Sequence, residues 1–312
     1  MPVTDKDRLK KSAFSVLAFL LLIFCIGNFV LGITWIGRSY PGFFFYGNMV
    51  VTDITPGVEN GEQLTRFKDR VLEANGLPVG SPSDLLHITD ALPVGTNVEY
   101  TIERNGSSFK VGIPVQAFNV RDFIQMFGVI FLMGAVFFVI GALVLRIKAN
   151  ARESRAFFLF CAAICVWFIG SFDAQASHIM EQIVFFAWIF SPVAGIHLMF
   201  IFPSDTRIKA SAQNIISLVF LFISAMLFIL QYIFFHSYDV WKYINTVTWM
   251  YVVLSTFIFP ASSLMTYLHP ASALAKQRAQ IILLGCVFGL LVPALAVAGI
   301  TVFHINLPYN LM

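Results

Sequence analysis

Few residues in this chain have the types and spacing to do chemistry, and they fall into four groups. Asp173, His178 and Glu181 share one short segment and carry the donor atoms of a cation site. Acidic residues in a short solvated loop more commonly act as polar caps. His197, in "AGIHLMFIFP", is an ionisable group inside an apolar run. There it serves either as a proton or ligand site, or as a hydrogen-bond partner for a neighbouring helix. Gln231, Tyr232, Asn245, Thr246, Thr248 and Trp249 gather near the ends of two adjacent apolar runs. They either line a cavity or anchor the chain at a membrane interface. Cys161 and Cys165 are one helical turn apart, the spacing of a metal or redox pair, but no His or acidic residue accompanies them. They read as small packing residues, and with Cys25 and Cys286 also in apolar runs no disulfide framework is expected. No metal and no cofactor is expected.

Enzymes that work inside membranes leave specific signatures. A zinc protease of the membrane needs His-Glu-x-x-His on a helix, and none of the six histidines has that context. A membrane serine protease needs Gly-x-Ser with a membrane His, and "PASSL" (260–264) lacks the glycine. No glycine-rich phosphate loop occurs. The sequence gives no support to a catalytic role.

The elements that would position these residues are mostly membrane spans. Of 312 residues, 58% are hydrophobic and 12% charged, against about 25% charged in an ordinary soluble domain. The apolar run from Ala13 to about residue 36 follows a basic segment, 1–12, and no small-residue cleavage site follows it. It reads as an uncleaved signal-anchor, since about 20 apolar residues cross the hydrocarbon. Six more runs follow, at about 123–145, 156–172, 182–202, 214–235, 243–267 and 279–303, giving seven spans. The bundle covers 122–304, and 305–312 is a short tail.

The charges orient this layout. Arg146, Lys148, Arg152, Arg155, Arg207, Lys209, Lys276 and Arg278 occupy alternate connections, while the opposite ones carry only Lys242. Positive residues concentrate on the cytoplasmic side. The N-terminus is therefore expected inside, and residues 38–121 outside, a bacterial inner membrane. A net charge of +3 with no basic block gives no reason to expect nucleic acid.

Residues 38–118 read as a folded module. "NMVVTDI" (48–54) is a β-branched run, and "DRVLEANGLPV" (69–79) is a strand broken at Asn75-Gly76. "SPSDLLHITDAL" (81–92) starts a helix with Ser83 as the expected N-cap and Leu85, Leu86, Ile88 and Leu92 as its apolar face. "GTNVEYTIERNGSSFKVGIPV" (95–115) is an alternating hairpin turned at Asn105-Gly106. The fold class is thus a polytopic α-helical membrane protein with an inserted small α+β domain.

The segments "FKDRVLEANGLPV", "SPSDLL", "LPVG" and "ERNG" together resemble a PDZ domain of the bacterial type. The match covers 41–115, and departs from that pattern at Lys68 and in "ENGEQLTR". The resemblance implies a groove between a strand and the helix that takes an extended peptide or protein C-terminus by strand addition. Its residues would be Pro41, Gly42, Phe43, Phe44 and Phe45 in a carboxylate-capturing loop, with Leu85 and Ile88 on the helix. The same phenylalanines would equally suit a membrane-proximal apolar surface.

The whole layout, with "ESRAFFLFC" (153–161), "HLMFIFPSDTR" (197–207) and "AKQRAQIILLG" (275–285), resembles the sensor region of bacterial membrane receptors of the competence-pheromone sensor kinase type. That resemblance implies sensing outside the cytoplasm, an output partner in the cytoplasm or envelope, and no catalysis in this chain. Such receptors continue into an output domain, whereas this chain stops at Met312. It is expected to be a detached sensory module, a split or truncated receptor, or a membrane-anchored scaffold or assembly factor for envelope proteins. Small residues in 285–299 would also allow a homodimer.

Overall fold

The structure, a computed structural model, describes residues 5–149, 151–202 and 209–286. Among the described residues six helices are long and apolar enough to cross a membrane, spanning Lys11–Trp35, Val120–Ile147, Arg152–Ala176, Glu181–Ile201, Ala210–Ile233 and Tyr238–Leu268. They belong to α1 (Asp5–Trp35), α3 (Val120–Phe123) with α4 (Val129–Ile147), α5 (Arg152–Ala176), α6 (Glu181–Ile201), α7 (Ala210–Ile233) and α8 (Tyr238–Leu268). This is the make-up of a multi-pass membrane protein. α9 (Ala273–Cys286) packs on α8. The seventh expected span, 279–303, and Pro293 within it lie mostly outside the described residues.

Between α1 and α3 the chain forms a strand domain. β1 (Ser39–Tyr40) and β8 (Gln116–Ala117) pair antiparallel and close its base. β2 (Phe43–Phe45) pairs with β3 (Val51–Ile54). β4 (Arg70–Ala74), β5 (Leu77–Pro78), β6 (Asn97–Arg104) and β7 (Ser107–Pro114) form an antiparallel sheet in the order β5-β4-β6-β7. The two expected turns sit where the sequence puts them. Asn75 and Gly76 (φ 50° and 75°) join β4 to β5, and Asn105 and Gly106 (52° and 78°) join β6 to β7. Left-handed backbone at both central residues is what a tight hairpin requires and what Asn-Gly supplies.

The helix α2 (Pro82–Asp90) corrects one expectation. Ser81, not Ser83, is its N-cap. Ser81 Oγ accepts from Asp84 N (3.4 Å), and the Asp84 carboxylate accepts from Ser81 N at 2.9 Å and Gly80 N at 3.1 Å. Pro82 fits the first helical position because its φ is already helical, which moves the cap one residue before it. Ser83 is exposed and bonds only to the Ser81 hydroxyl at 2.8 Å.

α2 seals the domain core, where Leu85 packs with Phe43, Val71, Tyr100, Ile102 and Ile113. Beside that core the carboxylate of Asp69, fully buried, takes two bonds from Arg104, Nε at 2.6 Å and Nη2 at 2.7 Å. Thr65 N adds a third at 2.7 Å. This fork ties the β6–β7 hairpin to the start of β4.

In the bundle α5 lies between α4 and α6 and also packs on α1. Glycines let α4 approach closely: a Cβ on Gly134 would stand 2.7 Å from Ile169 Cγ1, and one on Gly141 2.7 Å from Cys161 Cβ. Small residues at such crossings are the usual basis of tight helix contacts in lipid. α1 and α5 run parallel, meeting through Phe14–Phe158, then Cys25–Cys165, then Trp35–Phe172. Pro192 and Pro260 sit inside α6 and α8 without ending either helix.

Candidate functional site

The strand domain does not hang from the bundle by its two linkers alone. The Tyr46–Val50 turn between β2 and β3 is lodged among the near ends of four helices. Gly47 N donates to Glu181 Oε1 (2.9 Å) at the start of α6. Asn48 Nδ2 donates to the carbonyl of Phe235 (2.9 Å) in the α7–α8 connection, and Asn48 Oδ1 accepts from Val50 N at 3.3 Å. Tyr238, which opens α8, donates its hydroxyl to the carbonyl of Lys68. Val50 is fully buried in a cluster with Phe185, Trp188, Leu227, Phe235 and Trp241, and the Tyr46 ring meets Phe185 at 5.1 Å.

A second contact is aromatic. Tyr40, Phe44, Phe118, Phe127 and Phe172 form a fully buried group, with Trp35 and Leu86 of α2 packed into it. Phe44 lies 5.2 Å from Phe127, centroid to centroid, and Phe127 5.0 Å from Phe172. Phe127 belongs to a π-helical turn, Ile124–Gly128, between α3 and α4. The turn also brings Met126 Sδ to Thr55 Oγ1 (3.6 Å), which bonds Tyr40 at 2.7 Å. Such turns widen a helix locally and recur at functional places.

The expected groove residues can now be placed. Pro41, Gly42, Phe43, Phe44 and Phe45 are all buried. Phe43 and Phe45 point into the domain core, while Phe44 points into the aromatic group shared with the helices. Strand alternation explains the split. The segment 40–45 is therefore neither an open loop nor a free apolar surface. Leu85 is in the core with Ile88 half-buried beside it, and α2 packs against β1.

Of the bundle candidates, Gln231 and Asn245 are brought together. Gln231 Nε2 reaches Asn245 Oδ1 at 3.3 Å and Thr248 Oγ1 at 3.4 Å, all three buried. Tyr232 and Thr246 face outward. Gln231 Oε1 and the indole nitrogens of Trp188, Trp241 and Trp249 are buried with no hydrogen-bond partner among the described residues. His197 is not a buried group: its side chain is exposed on α6. The apolar run around it hides this, because the helix turns that one position away from its neighbours.

Asp173 and Glu181 are buried rather than solvated. Asp173 is a cap: it accepts from Ser177 Oγ (2.7 Å), Ile179 N (3.2 Å) and Met180 N (2.6 Å). His178 lies against Phe45 at 5.3 Å, its Nε2 buried without a partner among the described residues, and burial pushes its imidazole down to about 4. In the strand domain, burial pushes Asp53 up to about 6 against the opposing pull of Arg66 at 2.8 Å. Among the described residues no group of three or more His, Cys, Asp or Glu side chains is placed to hold a metal ion.

Sequence reasoning missed Gly47 and Asn48. The Gly-Asn pair between two apolar runs is a turn signal, but nothing local says that the turn docks on helices more than a hundred residues later. Comparison with protein-family models, curated proteins and solved structures finds no match.

Proposed function

We propose that this chain is a membrane sensory module, non-catalytic in itself, whose strand domain is PDZ-like and takes an extended peptide or protein C-terminus. The observation that carries this reading is the lodging of Tyr46–Val50 between the α5–α6 and α7–α8 connections. Any change in how the domain sits has to alter contacts at both connections at once. A ligand shifts an equilibrium only through different contacts in its two states, and the docked turn supplies contacts that such a shift would change.

The strand domain is on the outer side in this reading. Arg146, Lys148, Arg152 and Arg155 lie at the ends of α4 and α5 remote from it, and Arg278 stacks near Phe202 at the far end of α6. Positive residues favour the cytoplasmic side, which supports an inner-membrane orientation with the strand domain outside. The groove would lie between β2 and α2, flanked by Leu85, Ile88 and residues 41–45. Because Phe43, Phe45 and Leu85 are buried in the domain core and Phe44 against the helices, a peptide adding there has to displace β1 or shift the domain on the bundle. That displacement would be the signal, passed to an output partner.

The test uses the full chain in lipid nanodiscs with a library of extended peptides bearing free C-termini. Binding is expected, with hydrogen exchange changing in 82–92 and also in 177–181 and 234–238. No binding across the library, or binding that leaves both connections unchanged, contradicts the proposal.

A further inference from the structure

The α1–α5 seam holds a feature that the sensory reading does not use. Cys25 Sγ and Cys165 Sγ are 3.5 Å apart although 140 positions separate them. The ring contacts Phe14–Phe158 on one side and Trp35–Phe172 on the other fix the register of the two helices. The thiols therefore face each other near the middle of both spans. Closing them to a disulfide bond of about 2.05 Å would bring the two sulfurs roughly 1.5 Å nearer.

The neighbouring groups set this pair apart. Cys161, one turn away, is turned to α4, where its Cβ stands 2.7 Å from the Cβ position of Gly141. Asn28, one turn along α1 from Cys25, is buried with an Oδ1 that has no partner among the described residues. The seam is thus not a plain apolar one. Cys25 is half-buried, whereas Cys165 is fully enclosed.

We propose that Cys25 and Cys165 are a reversible dithiol–disulfide pair, oxidised by a lipid-soluble two-electron acceptor of the quinone class. Both S–H bonds break and one S–S bond forms. The two electrons and two protons pass to the quinone oxygens, giving the hydroquinone. Oxidation would fasten α1 to α5 and close a covalent loop around the whole strand domain and α4. Such a loop restrains the unfolded chain and fixes the helix that leads into the domain.

The experiment treats the full chain in nanodiscs with duroquinone, whose fully substituted ring has no position for thiol addition, and in parallel with diamide. Proteolysis and mass spectrometry follow without reduction. The expected result with both oxidants is a Cys25–Cys165 linked peptide pair, two hydrogens lighter than the free peptides and separated by dithiothreitol, in wild type and in Cys161→Ser. Recovery of both cysteines as free thiols after both oxidants, or a link that uses Cys161 or Cys286, overturns the pair. A link formed by diamide and not by duroquinone overturns the quinone as oxidant.

Discussion

Asn48 and Phe235, 187 positions apart in sequence, are joined by a 2.9 Å hydrogen bond from a side-chain amide to a backbone carbonyl. The amide belongs to a turn of the strand domain and the carbonyl to the connection between two long apolar helices. The carbonyl is near the end of α7, where helix geometry leaves backbone acceptors without intrahelical donors. The strand domain thus completes the hydrogen bonding of the bundle, and the two halves share one boundary.

A side chain at Gly47 would have to push the Glu181 carboxylate aside. A Cβ there would stand 2.6 Å from Glu181 Oε2 and 3.4 Å from Phe235 Cε1. Gly47→Ala is expected to lower stability by about 1–3 kcal/mol, the usual range for overpacking. With Glu181→Ala the crowding atom is gone, so the double variant should lose less than the sum, with a coupling of about 0.5–3 kcal/mol. A thermal-unfolding double-mutant cycle in detergent checks this, and strict additivity would exclude the contact.

The Asp69–Arg104 fork makes the strand domain vulnerable at one point. Arg104→Ala leaves a fully buried carboxylate with only the Thr65 N–H, a change of the kind that costs about 3–5 kcal/mol. Arg104→Lys keeps the charge but loses the two-pronged geometry, and its loss should be smaller. Loss of hydrogen-exchange protection across β4 and β6, graded in that order, is the expected readout.

The pH response at the junction follows from His178. Its folded imidazole titrates near 4 because it is buried, while an unfolded or undocked histidine takes a proton near 6.5. A depressed folded value means that the full stabilisation is present above about 6.5 and is lost as pH falls toward 4, because the open state binds the proton first. His178→Gln should flatten the response in that window. Hydrogen exchange at 43–46 and 176–180 between pH 7 and 5 measures it, and an equal response in the variant would assign the effect elsewhere.

What the sequence made legible was local. Six of the seven expected apolar runs, the Asn-Gly hairpins and the polar start of α2 each depend on a few neighbouring residues, and these are found among the described residues. The cap slipped from Ser83 to Ser81 because Pro82 is more strongly committed to the first helical position than Ser83 is to a cap. The burial of Phe43, Phe44 and Phe45 follows from strand alternation between two cores, and a run of three phenylalanines cannot show which core lies on which side. The two readings of His197 stayed open in the sequence because an apolar neighbourhood does not fix which way one helix position faces. The junction and the Cys25–Cys165 contact join segments that only the fold brings together, so no local pattern marks either.

The most direct measurement is hydrogen exchange on the full chain in nanodiscs, comparing wild type with Asn48→Ala. Removing the amide leaves the Phe235 carbonyl and Val50 N–H without partners, for which about 1–3 kcal/mol is the usual loss. Protection is expected to fall together in 43–54, 177–181 and 234–238, while β6 and β7 stay protected. Loss confined to residues 46–50 would contradict the claim that the strand domain and the bundle respond as one coupled unit.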